Sequence, residues 1–191
     1  QQLLQTNPLL EAFGNAKTLR NNNSSRFGKF IDIAFNASGF IAGTKIEHYL
    51  LETSRVVFQA DGERNFHFFY QMVKNSEARS KYGLKDVSQY AYLKAESAVV
   101  EGMDDSAEYA ETLKSARIIG FTEEEIDNVQ RATAAILHLG NVVFNPDEET
   151  EGSIIANREP TQLVSRLLGI NQEALERAFT NPMYKSGKDL I

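Results

Sequence analysis

The run Asn15–Phe30, NAKTLRNNNSSRFGKF, decides how this chain is read. Its centre, Arg20–Arg26 (RNNNSSR), sets consecutive amides and hydroxyls between two arginines. Taken alone, such a cluster is compatible with a solvent-exposed Asn/Ser turn. Two features point elsewhere. Neither Gly nor Pro interrupts it before Gly28, and it ends in Arg and leads straight into a strand pattern, a common position for phosphate-handling loops. The chemistry suits a nucleotide and its metal: a Ser hydroxyl can enter the shell of Mg²⁺, which takes few protein oxygens beside phosphates and waters. An Asn amide can donate to phosphate oxygen, and a second Ser can hold or relay a proton to an attacking water. Phosphoryl transfer depends on such positioning more than on covalent chemistry.

Outward from this loop, residues 1–13 carry Leu3, Leu4, Leu9, Leu10 and Phe13 in a helical pattern, with a restart at Asn7-Pro8 and a stop at Gly14. Downstream, FIDIAF (Phe30–Phe35), the turn NASG and FIAGTKIEHYL (Phe40–Leu50) predict paired strands, and RVVFQ (Arg55–Gln59) a third, together a meander. Helices are expected at Glu63–Lys74, at Asp105–Ile119 ended by Gly120, and after Thr122, whose capping box is completed by Glu125 and whose helix Gly140 closes. The stripe of that last helix is Ile126, Val129, Thr133, Ile136 and Leu137. An extended VVF piece, an acidic surface loop at Pro146–Gly152 and two short helices, Pro160–Leu168 and Asn171–Phe179, complete the reading. The class is mixed α and β, helix-dominated.

Composition narrows the function. The 191 residues are 42% apolar and 24% charged with 12 Phe, an ordinary globular balance. A net charge of −6 argues against nucleic acid or an anionic membrane as partner. The absence of Cys excludes disulfides and thiolate metal sites, and no apolar run reaches the ~20 residues of a membrane span. His48, His67 and His138 lack the spacing of a metal site or triad and read as structural or surface residues. Glu123–Glu125 sit where a helix N-terminus favours acids, and Phe66–Tyr70 reads as core.

The sixteen-residue core, the preceding NPLLEAFG, and the later IEHYLLETSRVVFQADGERNFHFFYQM, GFTEEEI and AAILHLGNVVF resemble the myosin motor across nearly the whole chain. Kinesins share an N-x-x-S-S-R cluster but continue Ser-His, whereas this chain continues Phe27-Gly28-Lys29-Phe30, the myosin form. The resemblance implies that residues 1–191 are part of a P-loop NTPase motor fold, its upper 50 kDa region, with 15–30 as switch I and a strand meander packed among helices.

By position, the resemblance makes Asn21 a phosphate contact, Ser25 the Mg²⁺ ligand, and Ser24 the residue beside the γ-phosphate and lytic water. It makes Arg26 one half of a salt bridge with a switch II glutamate that forms on closure. Neither a G-x-x-x-x-G-K-[ST] loop nor a D-x-x-G-F-E segment occurs in the chain, both ends read as cut, and Arg26 is expected to lack its partner here. The implied protein is a cytoplasmic, cytoskeletal, actin-activated ATPase using ATP and Mg²⁺. It works on actin filaments and holds light chains or calmodulin on a lever arm outside this chain, while the 191 residues alone are expected to be inactive. The competing reading is a catalytically silent myosin-like actin-binding or scaffold protein. TNPMYKSGKDLI (180–191) resembles the start of an actin-facing loop, with Lys185 and Lys188 as charge contacts and Asp189 supplying a negative charge that phosphorylation provides in some relatives.

Overall fold

The computed structural model describes residues 2–149, 152–181, 185–186 and 189–190. Seven helices, α1 (Gln2–Gly14), α2 (His67–Lys74), α3 (Ser76–Tyr82), α4 (Asp105–Ile119), α5 (Glu123–Leu139), α6 (Glu159–Leu168) and α7 (Gln172–Thr180), dominate these residues. The strands pair only as antiparallel ribbons: β1 (Asn15–Ala16) with β2 (Ser24–Ser25), β3 (Gly28–Phe35) with β4 (Ile41–Tyr49), β5 (Phe144–Pro146) with β6 (Ser153–Ile155), and β7 (Lys185–Ser186) with β8 (Asp189–Leu190). The mixed, helix-dominated class is therefore observed.

Local chemistry sets most helix ends. Asp104 accepts from the Ser106 and Ala107 amides ahead of α4, and Gly120 leaves it at φ 109°. The Thr122–Glu125 capping box opens α5, and Asn171 accepts from the Ala174 amide to open α7. A helix that sequence reading passed over, α3, carries its own signals: the Asn75 side chain accepts from the Ala78 amide, and Gly83 closes it with φ 66°.

The core is built on α2, in which every residue from His67 to Val73 is buried. Phe66, Phe68, Phe69 and Tyr70 thus lie in the core as expected, joined by Tyr82, Tyr90, Leu137, Val164 and Leu167. On α5, Ile126, Thr133 and Leu137 are buried whereas Val129 and Ile136 remain exposed, so the apolar stripe is only half used. His138 is buried with Nε2 3.3 Å from the Tyr82 carbonyl, and His48 is exposed on β4.

Four expectations need correction. The helix does not restart at Pro8; α1 runs through it. Contacts on both sides hold it, since Ser115 Oγ donates to Gln5 Oε1 at 3.1 Å and the Phe13 ring lies 4.2 Å from that of Phe68. These outweigh the one backbone bond a proline removes. The third strand, Arg55–Gln59, is absent: Thr53–Val56 form a 3₁₀ turn, because Arg55 is drawn into the interior by ion pairs with Glu52 and Glu63. The meander is therefore a two-stranded hairpin, and it is not packed among helices. Its base touches α1, where Lys29 Nζ donates to Asn7 Oδ1 at 2.8 Å, but Phe30, Phe35, Phe40 and Ile41 are each more than half exposed. Finally, α2 starts at His67 rather than Glu63, because residues 64–66 stay outside the helix to serve the contacts described next.

One of those contacts is the buried pair of Arg64 with Asp105, Nη2 to Oδ1 at 2.6 Å and Nη1 to Oδ2 at 3.2 Å. Removing one member strands the other charge in the interior, so Asp105→Ala should lower the unfolding free energy by about 3–5 kcal/mol in urea denaturation of the motor domain. A loss under ~1 kcal/mol would show the pair to be dispensable.

Candidate functional site

The polar loop is held at its stem by a short ladder. Asn15 pairs with Ser25 and Ala16 with Ser24, and the Arg26 amide donates to the Gly14 carbonyl at 2.8 Å. On its other side Ala16 bridges to Phe66, and the Arg64 amide donates to the Lys17 carbonyl at 3.1 Å. The loop base is thus stitched to the segment that leads into α2. Gly14 is required here for a steric reason: a Cβ would stand 2.4 Å from the Phe27 ring, which lies across the backbone at that point.

Within the loop, Asn23 is the internal brace. Its Oδ1 accepts from the Asn15 amide at 3.0 Å and from His67 Nε2 at 3.1 Å, while its Nδ2 donates to Glu11 Oε2 at 3.0 Å. Since Asn23 Oδ1 can only accept, His67 carries its proton on Nε2. Burial, aided by the nearby Arg64 charge, lowers the His67 pKa to about 3, so the ring is neutral at physiological pH. The Asn23 amide donates to Asn21 Oδ1 at 2.8 Å, an Asx-type turn that shapes the tip.

The residues singled out by sequence fall together on this loop. Ser24, Ser25 and Arg26 are consecutive on and after β2, and strand alternation sends Ser24 and Arg26 to one side and Ser25 to the other. Arg26 Nη1 donates to Ser24 Oγ at 3.2 Å, which leaves the Ser24 hydroxyl proton available. The Ser25 side chain is exposed with no protein partner among the described residues, and the exposed Asn21 amide keeps its NH₂ free once its oxygen is used. Lys185 and Asp189 lie on the two strands of the β7–β8 ribbon, which pairs Ser186 with Asp189; their side chains and all of Lys188 lie outside the described residues.

Arg26 does have a partner in this chain, contrary to expectation. Its Nε contacts Glu52 Oε2 at 2.6 Å, and the Glu52 amide donates to the Arg26 carbonyl at 2.9 Å. Arg55 Nε shares the same Glu52 oxygen at 2.8 Å, while Arg55 Nη2 reaches Glu63 Oε2 at 2.9 Å and Nη1 the Arg64 carbonyl at 3.2 Å. Burial works to raise the Glu52 pKa, but the hydrogen bonds from Arg55 and Arg26 overcome it and hold the carboxylate below its ordinary value. Sequence reading missed Glu52, which falls between the two strand patterns, and Arg55, which V-V-F propensity drew into a strand. The signal was the acid and base three residues apart in ETSR.

The family model for the myosin head (motor domain) matches residues 1–191, the entire chain. The chain belongs to the myosin head family. It is 47% identical over 193 residues to a non-muscle myosin heavy chain of Drosophila melanogaster, matching all of this chain and 9% of that protein. It is 46% identical to unconventional myosin-Ia of Mus musculus, again over its full length and 19% of that protein. Against unconventional myosin-Ib of Homo sapiens it is 47% identical over 94% of its own length and 16% of the other. This myosin segment thus spans less than a fifth of these relatives.

The neutral His67 has a measurable consequence. Its folded pKa lies below the unfolded value, so the unfolded chain binds the extra proton and stability falls as pH drops from about 6.5 to 3. His67→Gln keeps a donor toward Asn23 without titrating. It should flatten the dependence of unfolding free energy on pH between 6 and 4 by up to ~1.4 kcal/mol per pH unit. An unchanged slope in denaturation curves would place the titration elsewhere.

Proposed function

We propose that this myosin segment carries the nucleotide-sensing switch I, residues 15–30, of an actin-based motor that hydrolyses ATP. The support is the arrangement of the loop's free polar groups. Ser25 offers an uncommitted hydroxyl, Asn21 an uncommitted amide, and Ser24 a hydroxyl whose oxygen is already satisfied by Arg26, all at the edge of a braced ladder.

That donor set fits a magnesium nucleotide. Bound Mg²⁺ neutralises phosphate charge and needs only one or two protein oxygens, so the absence of a three-residue acidic or histidine cluster among the described residues is no obstacle. Ser25 would hold the metal, Asn21 would donate to phosphate oxygen, and Ser24 would orient the water, its spare proton directed by the bond from Arg26. The surrounding residues contribute rigidity: Asn23, Asn15 and His67 fix the loop from within, so the polar groups are set before a ligand arrives.

The remainder of the NTPase motor fold, including the phosphate cradle and the second switch, belongs to the whole protein. So do the lever arm with its light chains or calmodulin and the cytoskeletal, cytoplasmic setting. Residues 180–191 would begin the actin-facing loop of the upper 50 kDa region, with Lys185, Lys188 and Asp189 toward the filament. In that position Asp189 supplies constitutively the charge that a phosphate would otherwise add.

Two measurements on the full motor domain test this reading. Arg26→Ala should lower steady-state ATP turnover by about 100-fold or more, the scale expected when a positioned charge is lost. Turnover close to the parent protein would sink the switch assignment, and no turnover in the parent would favour the catalytically silent alternative. Asp189→Lys should reduce actin-activated turnover several-fold; an unaltered actin response would remove that residue from the interface.

A further inference from the structure

We propose that Glu52 is a positioning residue for Arg26, presenting its guanidinium and, through it, the Ser24 hydroxyl to the nucleotide. The proposal rests on the switch reading above and deepens it by adding a residue outside the loop. Glu52 grips Arg26 at both ends: its carboxylate takes Nε at 2.6 Å, and its own amide donates to the Arg26 carbonyl at 2.9 Å.

The grip is anchored in the interior. Glu52 Oε2 also accepts from Arg55 Nε at 2.8 Å, and Arg55 is only 4% exposed. Its other nitrogens reach Glu63 and the Arg64 carbonyl, so the guanidinium cannot turn without leaving buried groups unpaired. Glu63 returns to the loop, accepting from the Leu19 amide through Oε1 at 3.4 Å. A rigid arginine thus fixes a carboxylate, the carboxylate fixes a second arginine, and that arginine fixes a serine hydroxyl at 3.2 Å. The chain reaches Glu52 through Leu50, the one non-glycine residue with positive φ among the described residues, at 55°. Such a conformation is disfavoured for leucine and persists where surrounding contacts demand it. Here it turns the end of β4 so that the Glu52 amide meets Arg26.

The stoichiometry of donors separates positioning from capture. A guanidinium has five N–H groups in a planar fork. Glu52 uses the one on Nε and Ser24 one on Nη1, so Nη2 stays uncommitted among the described residues. Arg26 can therefore accept a further acidic partner without releasing Glu52. Glu52 acts as the fixed side of that arrangement, holding the fork in plane rather than sequestering it.

A double-mutant cycle in the full motor domain tests this, read as steady-state ATP turnover. Glu52→Ala should lower kcat by about 10–100-fold with the KM for ATP within ~3-fold, and Arg26→Ala at least as much. The double variant should be no slower than Arg26→Ala alone, because Glu52 works only through Arg26. Losses that multiply, or a Glu52→Ala enzyme within twofold of the parent while Arg26→Ala is impaired, would overturn the positioning role and leave the switch reading standing. An Arg26→Ala enzyme as fast as the parent would overturn both. Should alanine at 52 compromise folding, seen as a lowered thermal midpoint, Glu52→Gln keeps the size and one acceptor and runs the same cycle: a multiplicative loss again overturns the role, and a non-additive one supports it.

Discussion

Arg64 is wholly buried, and an unpaired charge in that position would cost several kcal/mol. The structure around it is arranged to avoid that cost. Its guanidinium makes two bonds to Asp105, a third to the Ala98 carbonyl at 2.7 Å, and lies 4.0 Å above the Tyr70 ring. Asp105 is the first residue of α4, where the helix dipole also favours a carboxylate. Because the backbone of the same residue joins Lys17 through its N–H and Arg55 through its C=O, one buried arginine links the polar loop, the Arg55 anchor and the start of α4.

This linkage accounts for the character of the loop. Exposed Asn/Ser segments are usually mobile because few buried contacts constrain them. Here the tip is exposed while its stem is laddered on both sides and braced by Asn23 against Asn15, His67 and Glu11. Rigid support beneath exposed hydroxyls is what the proposed nucleotide-sensing role requires, since polar groups that are already oriented pay little to reorganise around a ligand. The neutral state of His67 belongs to the same design: a protonated ring beside buried Arg64 would place two like charges in the interior.

The exposed β3–β4 hairpin has a different standing. Apolar residues on both faces, Phe30 and Phe35 among them, are typical of strands covered on both sides. The chain spans a small part of its myosin relatives, and in this segment the apolar residues Phe30, Phe35, Phe40 and Ile41 of the hairpin stay more than half exposed. Its alternating, β-rich sequence was legible, and its pairing and turn matched expectation. Its surroundings were not legible, because periodicity reports which residues favour a strand and says nothing of what lies against it.

Much of the remainder divides along the range of the forces involved. The polar loop's residues, the Thr122–Glu125 box, the Asn171 cap and the stop at Gly120 could be read from residues alone, because each works through neighbours a few positions apart. The continuity of α1 through Pro8, the 3₁₀ turn at Thr53–Val56 and the late start of α2 could not. In each, a contact between residues distant in sequence overrode a local preference: Gln5 with Ser115, Arg55 with Glu63, Arg64 with Asp105. The sequence by itself determined the family and the loop's inventory of hydroxyls, amides and Arg26. Only the tertiary structure decided that Glu52 faces Arg26, since that meeting requires the hairpin to fold back and the buried charge of Arg55 to find its carboxylates.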